Sequence, residues 1–316
     1  MLIIGNNYKV LTNRLLPKKK KERIWEVDFL RCLPIILVIL YHICYDLNSL
    51  PLVITNYSDL IEDHKNLADF VKFCTSITNN TFINYYLVSF FGGVFLFVCG
   101  ISTELSKNNI KRGILLSLGG LVISLGSWLA SYILDDDLFI CFGVINLMGL
   151  VILIYSLVEL FFKKVLKKEI SSFSCLTLGI LIFLIGNMLN QIGYKNSYGL
   201  FTHWPVDVYY GGPIKMYEKN PWSFILSALG YYGNVVDWWP IFPFAGVILV
   251  GIAFGKVLYG KEKKTKFPKV NKKIVEPFCF IGRHTLLIYL LHQFVIVLIL
   301  AAILLPMGAK VQWLSA

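Results

Sequence analysis

Long apolar stretches, separated by short polar and basic segments, make up most of this chain. An apolar stretch of about 20 residues is long enough to cross a bilayer as a single helix. We predict a membrane helix over each of seven such stretches: 29–48, 83–104, 113–134, 138–162, 173–193, 238–259 and 279–305. A further apolar piece at 221–236 contains glycines, and we expect a re-entrant or surface segment there. The pattern therefore predicts an all-α, polytopic membrane bundle of about seven transmembrane helices.

Lysine and arginine are distributed unevenly between these stretches. The connections on one side of the predicted bundle hold 22 of them, and those on the other side hold 6. Cytoplasmic loops of membrane proteins carry the excess of basic residues, so the asymmetry predicts a cytoplasmic N-terminus. We expect residues 1–24 to form a basic cytoplasmic segment that is not a signal peptide. Residues 25–316 are then one transmembrane domain.

The composition excludes several classes of protein. Hydrophobic residues make up 56% of the 316 residues and charged residues only 16%, whereas soluble domains carry about 25% charged residues. The net charge of +11 follows from the basic connections and is a topology signal rather than a nucleic-acid-binding surface. The seven cysteines are scattered without a metal-binding spacing. We therefore expect the cell (plasma) membrane as the location, with no metal and no nucleic acid bound.

Ionisable residues are concentrated in the first predicted helix, where charged groups at bilayer depth suggest function. Asp28 and Arg31 share one helix face near the cytoplasmic end, either as a local ion pair or as part of a site. His42 follows Arg31 by eleven residues, which places it ~16 Å further along the helix and within about 20° of the same direction. Asp46 is four residues beyond His42, so its carboxylate can orient the imidazole. A structural His–Asp hydrogen bond is the alternative.

The last predicted helix carries the segment GRHTLLIYLLHQ. Arg283 and His292 are expected to point in opposite directions, because nine residues of helix turn through about 900°. Arg283 can then extend to lipid phosphates. His292 remains as a candidate to line an internal site.

A carboxylate and two tryptophans lie together at the outer end of the sixth predicted helix. Asp237 precedes Trp238 and Trp239 directly. Paired tryptophans at a membrane surface are commonly an aromatic belt, but aromatic rings beside a carboxylate also suit a sugar. His203, in the preceding connection, can join this surface.

Five segments of the chain, in this order, resemble the bacterial relatives of the heparan-α-glucosaminide N-acetyltransferase catalytic-domain family. The segments are RIWEVDFLRCLPIILVILYHICYDL, FFGGVFLFVCGIS, FGVINLMGLVILI, VDWWPIFPFAGVILVGIAFGK and FIGRHTLLIYLLHQ. The spacing from Arg31 to His42 also resembles the start of acyltransferase family 3 proteins. The resemblance implies a transmembrane acyltransferase. Such enzymes take an acyl group, typically from acetyl-CoA on the cytoplasmic side, and pass it to a hydroxyl or amine, often of a sugar, beyond the membrane.

The resemblance also assigns roles to particular residues. His42 matches the catalytic histidine position and Arg31 the motif arginine, while Asp237 and His292 match recurring polar positions in the later segments. The chain departs from the pattern at Cys32, where the family commonly has glycine, and at Asn146, where it commonly has histidine.

Together these observations give a mechanistic hypothesis. Acetyl-CoA would place its phosphates near Arg31, Lys111 and Arg112 and its thioester near His42. His42, oriented by Asp46, would remove a proton from the acceptor hydroxyl or amine.

Two further candidates for the donor site are Asn146, as a hydrogen-bond donor to the reacting carbonyl, and His292. Two other functions stay open. The first is a proton-coupled transporter that uses His42, Asp46 and His292 as a relay, and the second is a membrane scaffold without chemistry. The sequence also leaves a homodimer open.

Overall fold

A computed structural model of the chain describes residues 23–134, 139–193, 225, 228–229, 237–260 and 263–312. These residues are helical apart from turns and one isolated bridge between Ile54 and Val311. In chain order the helices are α1 (Trp25–Asn48), α2 (Tyr57–Asp63), α3 (Lys65–Thr78), α4 (Val88–Leu105), α5 (Asn109–Leu134), α6 (Val144–Phe161), α7 (Ser172–Gly193), α8 (Ile241–Tyr259), α9 (Lys272–Arg283) and α10 (Thr285–Leu304). A π-helical turn, Phe82–Leu87, leads into α4, and another, Phe162–Leu166, extends α6.

The predicted all-α membrane bundle is confirmed. Among the described residues, α1, α4, α5, α6, α8 and α10 are long and apolar enough to cross a membrane. The fifth predicted span coincides with α7, which has a shorter apolar part at Ser172–Met188. The predicted segment 221–236 and the residues 135–137 lie outside the described residues, apart from three positions.

The prediction of one continuous helix over 279–305 is wrong. His284 has φ −104° and ψ 14°, and it separates α9 from α10. Gly282 lies against the backbone carbonyl of Asp28 on α1, where a side chain would collide. Because α9 packs along α1 through this glycine, the chain must change direction before α10 enters the bundle. The relative directions of Arg283 and His292 therefore cannot be calculated from helical periodicity.

Helix α8 lies at the centre of the main hydrophobic core and packs against both α4 and α7. Glycines permit these contacts. A side chain on Gly246 would collide with the backbone of α7 at Gly179, and one on Gly251 would collide with Phe97 of α4. Small residues let helix backbones approach closely in membranes. Helix association there is stabilised by dispersion contacts, because lipid provides no hydrophobic driving force between helices.

Glycines of the FFGGVFLFVCGIS segment serve the same packing. Gly100 contacts the α8 backbone, and Gly92 lies against the ring of Trp239. A methyl group on Gly93 would meet nothing within 4 Å.

One end of the bundle gathers the basic connections that follow α4, α6 and α8. Lys256 of α8 lies 3.4 Å from both Glu104 of α4 and Glu159 of α6. Buried Glu26 of α1 accepts hydrogen bonds from the Tyr259 hydroxyl at 3.2 Å and from the Lys266 backbone at 2.7 Å. These contacts fix the basic segment after α8 against the start of α1.

The opposite end carries a second hydrophobic cluster, which we call the outer cluster. Its buried members are Cys44, Leu47, Leu50, Ile54, Leu60, Val71, Cys74 and Leu304. They come from the end of α1, from the segment between α1 and α2, from α2 and α3, and from the end of α10. The long connection predicted between the first two spans is therefore folded into helices packed on α1.

Candidate functional site

Two histidines from opposite ends of the sequence meet between α1 and α10. The ring centroids of His42 and His292 are 5.0 Å apart with an interplanar angle of 60°. Both side chains are half-buried. The two residues were predicted as candidates separately, and the packing of α10 on α1 brings them into one site.

A hydrogen bond to the backbone determines the proton distribution on His292. Its Nδ1 lies 2.6 Å from the carbonyl oxygen of Tyr289. A carbonyl can only accept, so Nδ1 is the donor and Nε2 carries the lone pair in the neutral ring. That Nε2 is buried and has no hydrogen-bond partner among the described residues. His292 therefore presents a proton-accepting nitrogen in the interior.

Asp46 has a different partner from the one predicted. Its carboxylate accepts a hydrogen bond from the side-chain amide of Gln293 at 2.8 Å rather than from His42. Spacing along α1 permits a contact with His42, but in the folded protein the hydrogen bond to this carboxylate comes from α10. Asp46 thus joins α1 to α10 beside the histidine pair.

Asp237 is an acceptor for three groups from three parts of the chain. It accepts hydrogen bonds from the Tyr289 hydroxyl at 2.9 Å, from the Trp239 indole at 2.8 Å and from the Val144 backbone at 3.4 Å. Its φ of 45° is in the left-handed region, which is uncommon for a residue with a side chain. Burial raises the pKa of Asp237 to about 6, although these hydrogen bonds oppose the shift.

The aromatic side chains of the predicted sugar-binding surface are largely buried. Trp238 is 3% exposed, and Trp239 packs on Gly92 and bonds to Asp237. The carboxylate faces inward because Tyr289 and Val144 approach it from α10 and α6. Asp237 instead supports Tyr289, whose carbonyl in turn orients His292. His203 lies outside the described residues.

At the other end of α1, the side chains of Arg31 and Arg112 both reach helix α4. Arg31 forms the predicted ion pair with Asp28 at 3.1 Å and donates to the Ser102 hydroxyl of α4 at 2.5 Å. Arg112 of α5 donates to the Cys99 sulfur at 3.4 Å, one turn earlier on α4. One carboxylate for two guanidinium groups leaves an excess of positive charge here, and this is an arrangement suited to an anion.

Comparison with known families shows which family the chain belongs to. Residues 23–62 and 63–294 match the family described as heparan-alpha-glucosaminide N-acetyltransferase, catalytic. The chain belongs to this family. No curated protein and no solved structure shows significant similarity to it.

Membership of the heparan-alpha-glucosaminide N-acetyltransferase family identifies the chain as a relative of membrane acetyltransferases, whose acetyl donor in general is acetyl-CoA. The matched region runs from the start of α1 to the middle of α10. It therefore includes both histidines of the pair, both arginines and Asp237.

Asn146 and Lys111 were also predicted as site residues, and the structure places them in two different environments. The Asn146 amide donates to the Ser124 hydroxyl of α5 at 3.0 Å, so its described hydrogen bond joins α6 to α5. Lys111 is exposed beside Arg112 at the start of α5. Among the described residues no group of three or more His, Cys, Asp or Glu side chains is arranged to hold a metal.

Tyr289 and Gln293 are site residues that sequence reasoning missed. Both lie on α10 within four residues of His292, and each bonds to a carboxylate that was predicted, Asp237 and Asp46 respectively. The available signal was their polarity in an otherwise apolar helix. Identifying their partners required the tertiary structure.

Proposed function

We propose that this protein transfers an acetyl group from acetyl-CoA, on the cytoplasmic side of the plasma membrane, to a hydroxyl or amine of a sugar or glycan beyond it. The observation that carries the proposal is the pairing of His42 with His292, whose buried Nε2 is available to accept a proton. Both residues lie in the region that matches the acetyltransferase family.

The donor site is proposed at the end of α1 that holds Arg31. Guanidinium groups bind phosphate oxygens in a bidentate manner and remain charged. Arg31 and Arg112 reach adjacent turns of α4, and Lys111 is exposed next to them. These residues fit the phosphates of coenzyme A, and His42 lies eleven residues further along the same helix.

The histidine pair supplies the proton transfers. The acceptor oxygen or nitrogen attacks the thioester carbonyl and gives its proton to the pair, with His42 as the general base. The carbon–sulfur bond breaks, and the leaving thiolate of coenzyme A takes this proton from the pair, which returns to its starting state. Two imidazoles in contact do not both carry a charge readily, so the pair acts as a unit that accepts one proton at a time. Asp46 and Gln293 keep α1 and α10 together during these steps.

The test is a transfer assay on purified full-length protein in detergent or nanodiscs with isotopically labelled acetyl-CoA and a panel of sugars. His42→Ala should retain acetyl-CoA binding and lose about 10²- to 10⁴-fold in transfer rate. Arg31→Ala should weaken acetyl-CoA binding. The matched control is His284→Ala, since His284 is an exposed histidine at the junction of α9 and α10. Unchanged transfer by His42→Ala would contradict the proposal.

A proton-coupled transporter is the second candidate. It is favoured by the juxtaposition of His42 and His292 beside Asp46 on two spanning helices, because ionisable groups at this depth also form proton relays. Uptake driven by a proton gradient in vesicles that lack acetyl-CoA would support it. The absence of both activities would leave a membrane scaffold without chemistry as the remaining candidate function.

A further inference from the structure

Two buried cysteines face each other in the outer cluster. Cys44 of α1 is 8% exposed and Cys74 of α3 is fully buried. Both thiols belong to this one cluster, and the Thr75 hydroxyl, next to Cys74, donates to the Asn48 side chain of α1 at 2.9 Å, one turn beyond Cys44. The two helices pack along each other around this contact, and both residues are free thiols in the structure.

The position of this pair relative to the membrane gives it chemical significance. Cys44 lies two residues beyond His42, at the end of α1 that leads into the connection 49–82. The charge asymmetry predicts that this connection is extracytoplasmic, where thiols meet an oxidising environment. Cys279 of α9, by contrast, donates to the Trp25 carbonyl at the end of α1 predicted to be cytoplasmic.

We propose that Cys44 and Cys74 are joined by a disulfide bond in the mature protein, and that this bond fastens α3 across the outer end of α1. Each thiol loses one proton and one electron, and one sulfur–sulfur bond of about 2.05 Å forms. The oxidant is an extracytoplasmic thiol–disulfide oxidoreductase, whose own disulfide is reduced to a dithiol. The inference does not depend on the proposed acetyl transfer.

The packing also determines when the bond forms. Burial and the neighbouring Cys44 thiol raise the pKa of Cys74 to about 12. Disulfide exchange proceeds through the thiolate, so the packed thiols react slowly. The bond forms before α3 packs on α1, and afterwards the same burial protects it from reductants until the protein unfolds.

The experiment is differential alkylation of the full-length protein in membranes of a host with an oxidising extracytoplasmic compartment. Free thiols are blocked with a first maleimide in denaturing detergent at low pH. Disulfides are then reduced and labelled with a second, heavier maleimide before mass spectrometry. Cys44 and Cys74 should carry the second label, and Cys32 and Cys279 the first. Finding the first label on Cys44 and Cys74 overturns the proposal.

Single variants distinguish this pairing from other oxidised forms. In Cys44→Ser, Cys74 should take the first label. In Cys74→Ser, Cys44 should take the first label. If Cys74 remains oxidised when Cys44 is absent, the proposed pairing is wrong. Wild type that is reduced under denaturing conditions and then refolded should unfold at a temperature about 5–10 °C lower than oxidised wild type. The same treatment should not change the unfolding temperature of Cys44→Ser. Equal temperatures for reduced and oxidised wild type contradict a role in fastening α3.

Discussion

The hydrogen bond from His292 Nδ1 to the Tyr289 carbonyl leaves Nε2 as the proton-accepting nitrogen of that ring. His42 lies directly beside it. Asp237 holds the Tyr289 hydroxyl, and Gln293 holds Asp46, so α10 is anchored on both sides of His292. At the scale of single residues, the site is thus two imidazoles positioned by a network of hydrogen bonds.

The first prediction separates the two nitrogens of His292. In His292→Asn, the amide can still donate to the Tyr289 carbonyl, but no group replaces Nε2. Thermal unfolding should change little, while the transfer rate should fall by about 10²- to 10⁴-fold. Unfolding temperature and initial rates on the same preparation provide the measurement. A rate within a factor of three of wild type would show that Nε2 takes no part in the reaction.

The second prediction concerns Asp237 and pH. Because burial raises its pKa from an ordinary 3.8 to about 6, the folded protein keeps this proton to a higher pH than the unfolded chain does. The stability from this group is therefore fully present below about pH 4 and is lost as the pH rises through about 6.

Asp237→Asn cannot titrate and should not show this loss. We subtract the unfolding temperature of the variant from that of wild type at each pH. This difference should be several degrees larger at pH 4.5 than at pH 7.5. Scanning fluorimetry of both proteins at these two pH values tests the sign. A difference that is constant or increases with pH contradicts a raised pKa in the folded protein.

At the scale of the helices, hydrophobic pattern and packing have separate roles. The pattern located α1, α4, α5, α6, α8 and α10, because twenty apolar residues in a row have few stable alternatives to a spanning helix. It failed at 279–305, where Gly282 against the Asp28 carbonyl brings α9 along α1. The pattern does not show this break, since His284 lies inside one long, largely apolar stretch.

The third prediction tests the close approach of α4 to α8. A side chain on Gly100 would collide with the Ile248 carbonyl and lie 2.8 Å from the Ile252 nitrogen. Gly100→Ala should therefore lower the free energy of unfolding by about 1–3 kcal/mol, because backbone on both sides must move.

Gly93→Ala is the control, since it lies on the same helix and a methyl group there meets nothing within 4 Å. It should leave stability unchanged or slightly higher, because alanine favours a helix more than glycine does. Unfolding in one detergent compares the two variants. Equal losses would mean that helix propensity, rather than the α4–α8 contact, sets the effect.

At the scale of the whole molecule, the bundle has two chemically different ends. The end that includes Glu26 and Lys256 collects the basic connections and the two arginines. The other end carries the outer cluster and lies beyond the histidine pair. The proposed acetyl transfer across a membrane would need this polarity, because its donor and acceptor would approach from opposite sides.

The fourth prediction is the orientation of these ends. Ser58 and Lys168 are both exposed, on the connection after α1 and on the connection after α6 respectively. In intact cells a membrane-impermeant maleimide should label Ser58→Cys but label Lys168→Cys only after permeabilisation. Wild type controls for the native cysteines, of which all seven are buried. The reverse pattern would invert the bundle and remove the basis for both the cytoplasmic donor site and the Cys44–Cys74 disulfide.

The sequence alone determined the class of protein and the approximate helices, and it named His42 and Arg31 as candidates, because these follow from local composition and from spacing along one helix. The partners of each polar group were decided by the tertiary structure. Asp46 bonds to Gln293 instead of His42, and Asp237 turns inward to Tyr289. Spacing along one helix shows which neighbours a side chain can reach. Which of them it contacts depends on what the other helices place beside it, and that is fixed only when α10 packs on α1.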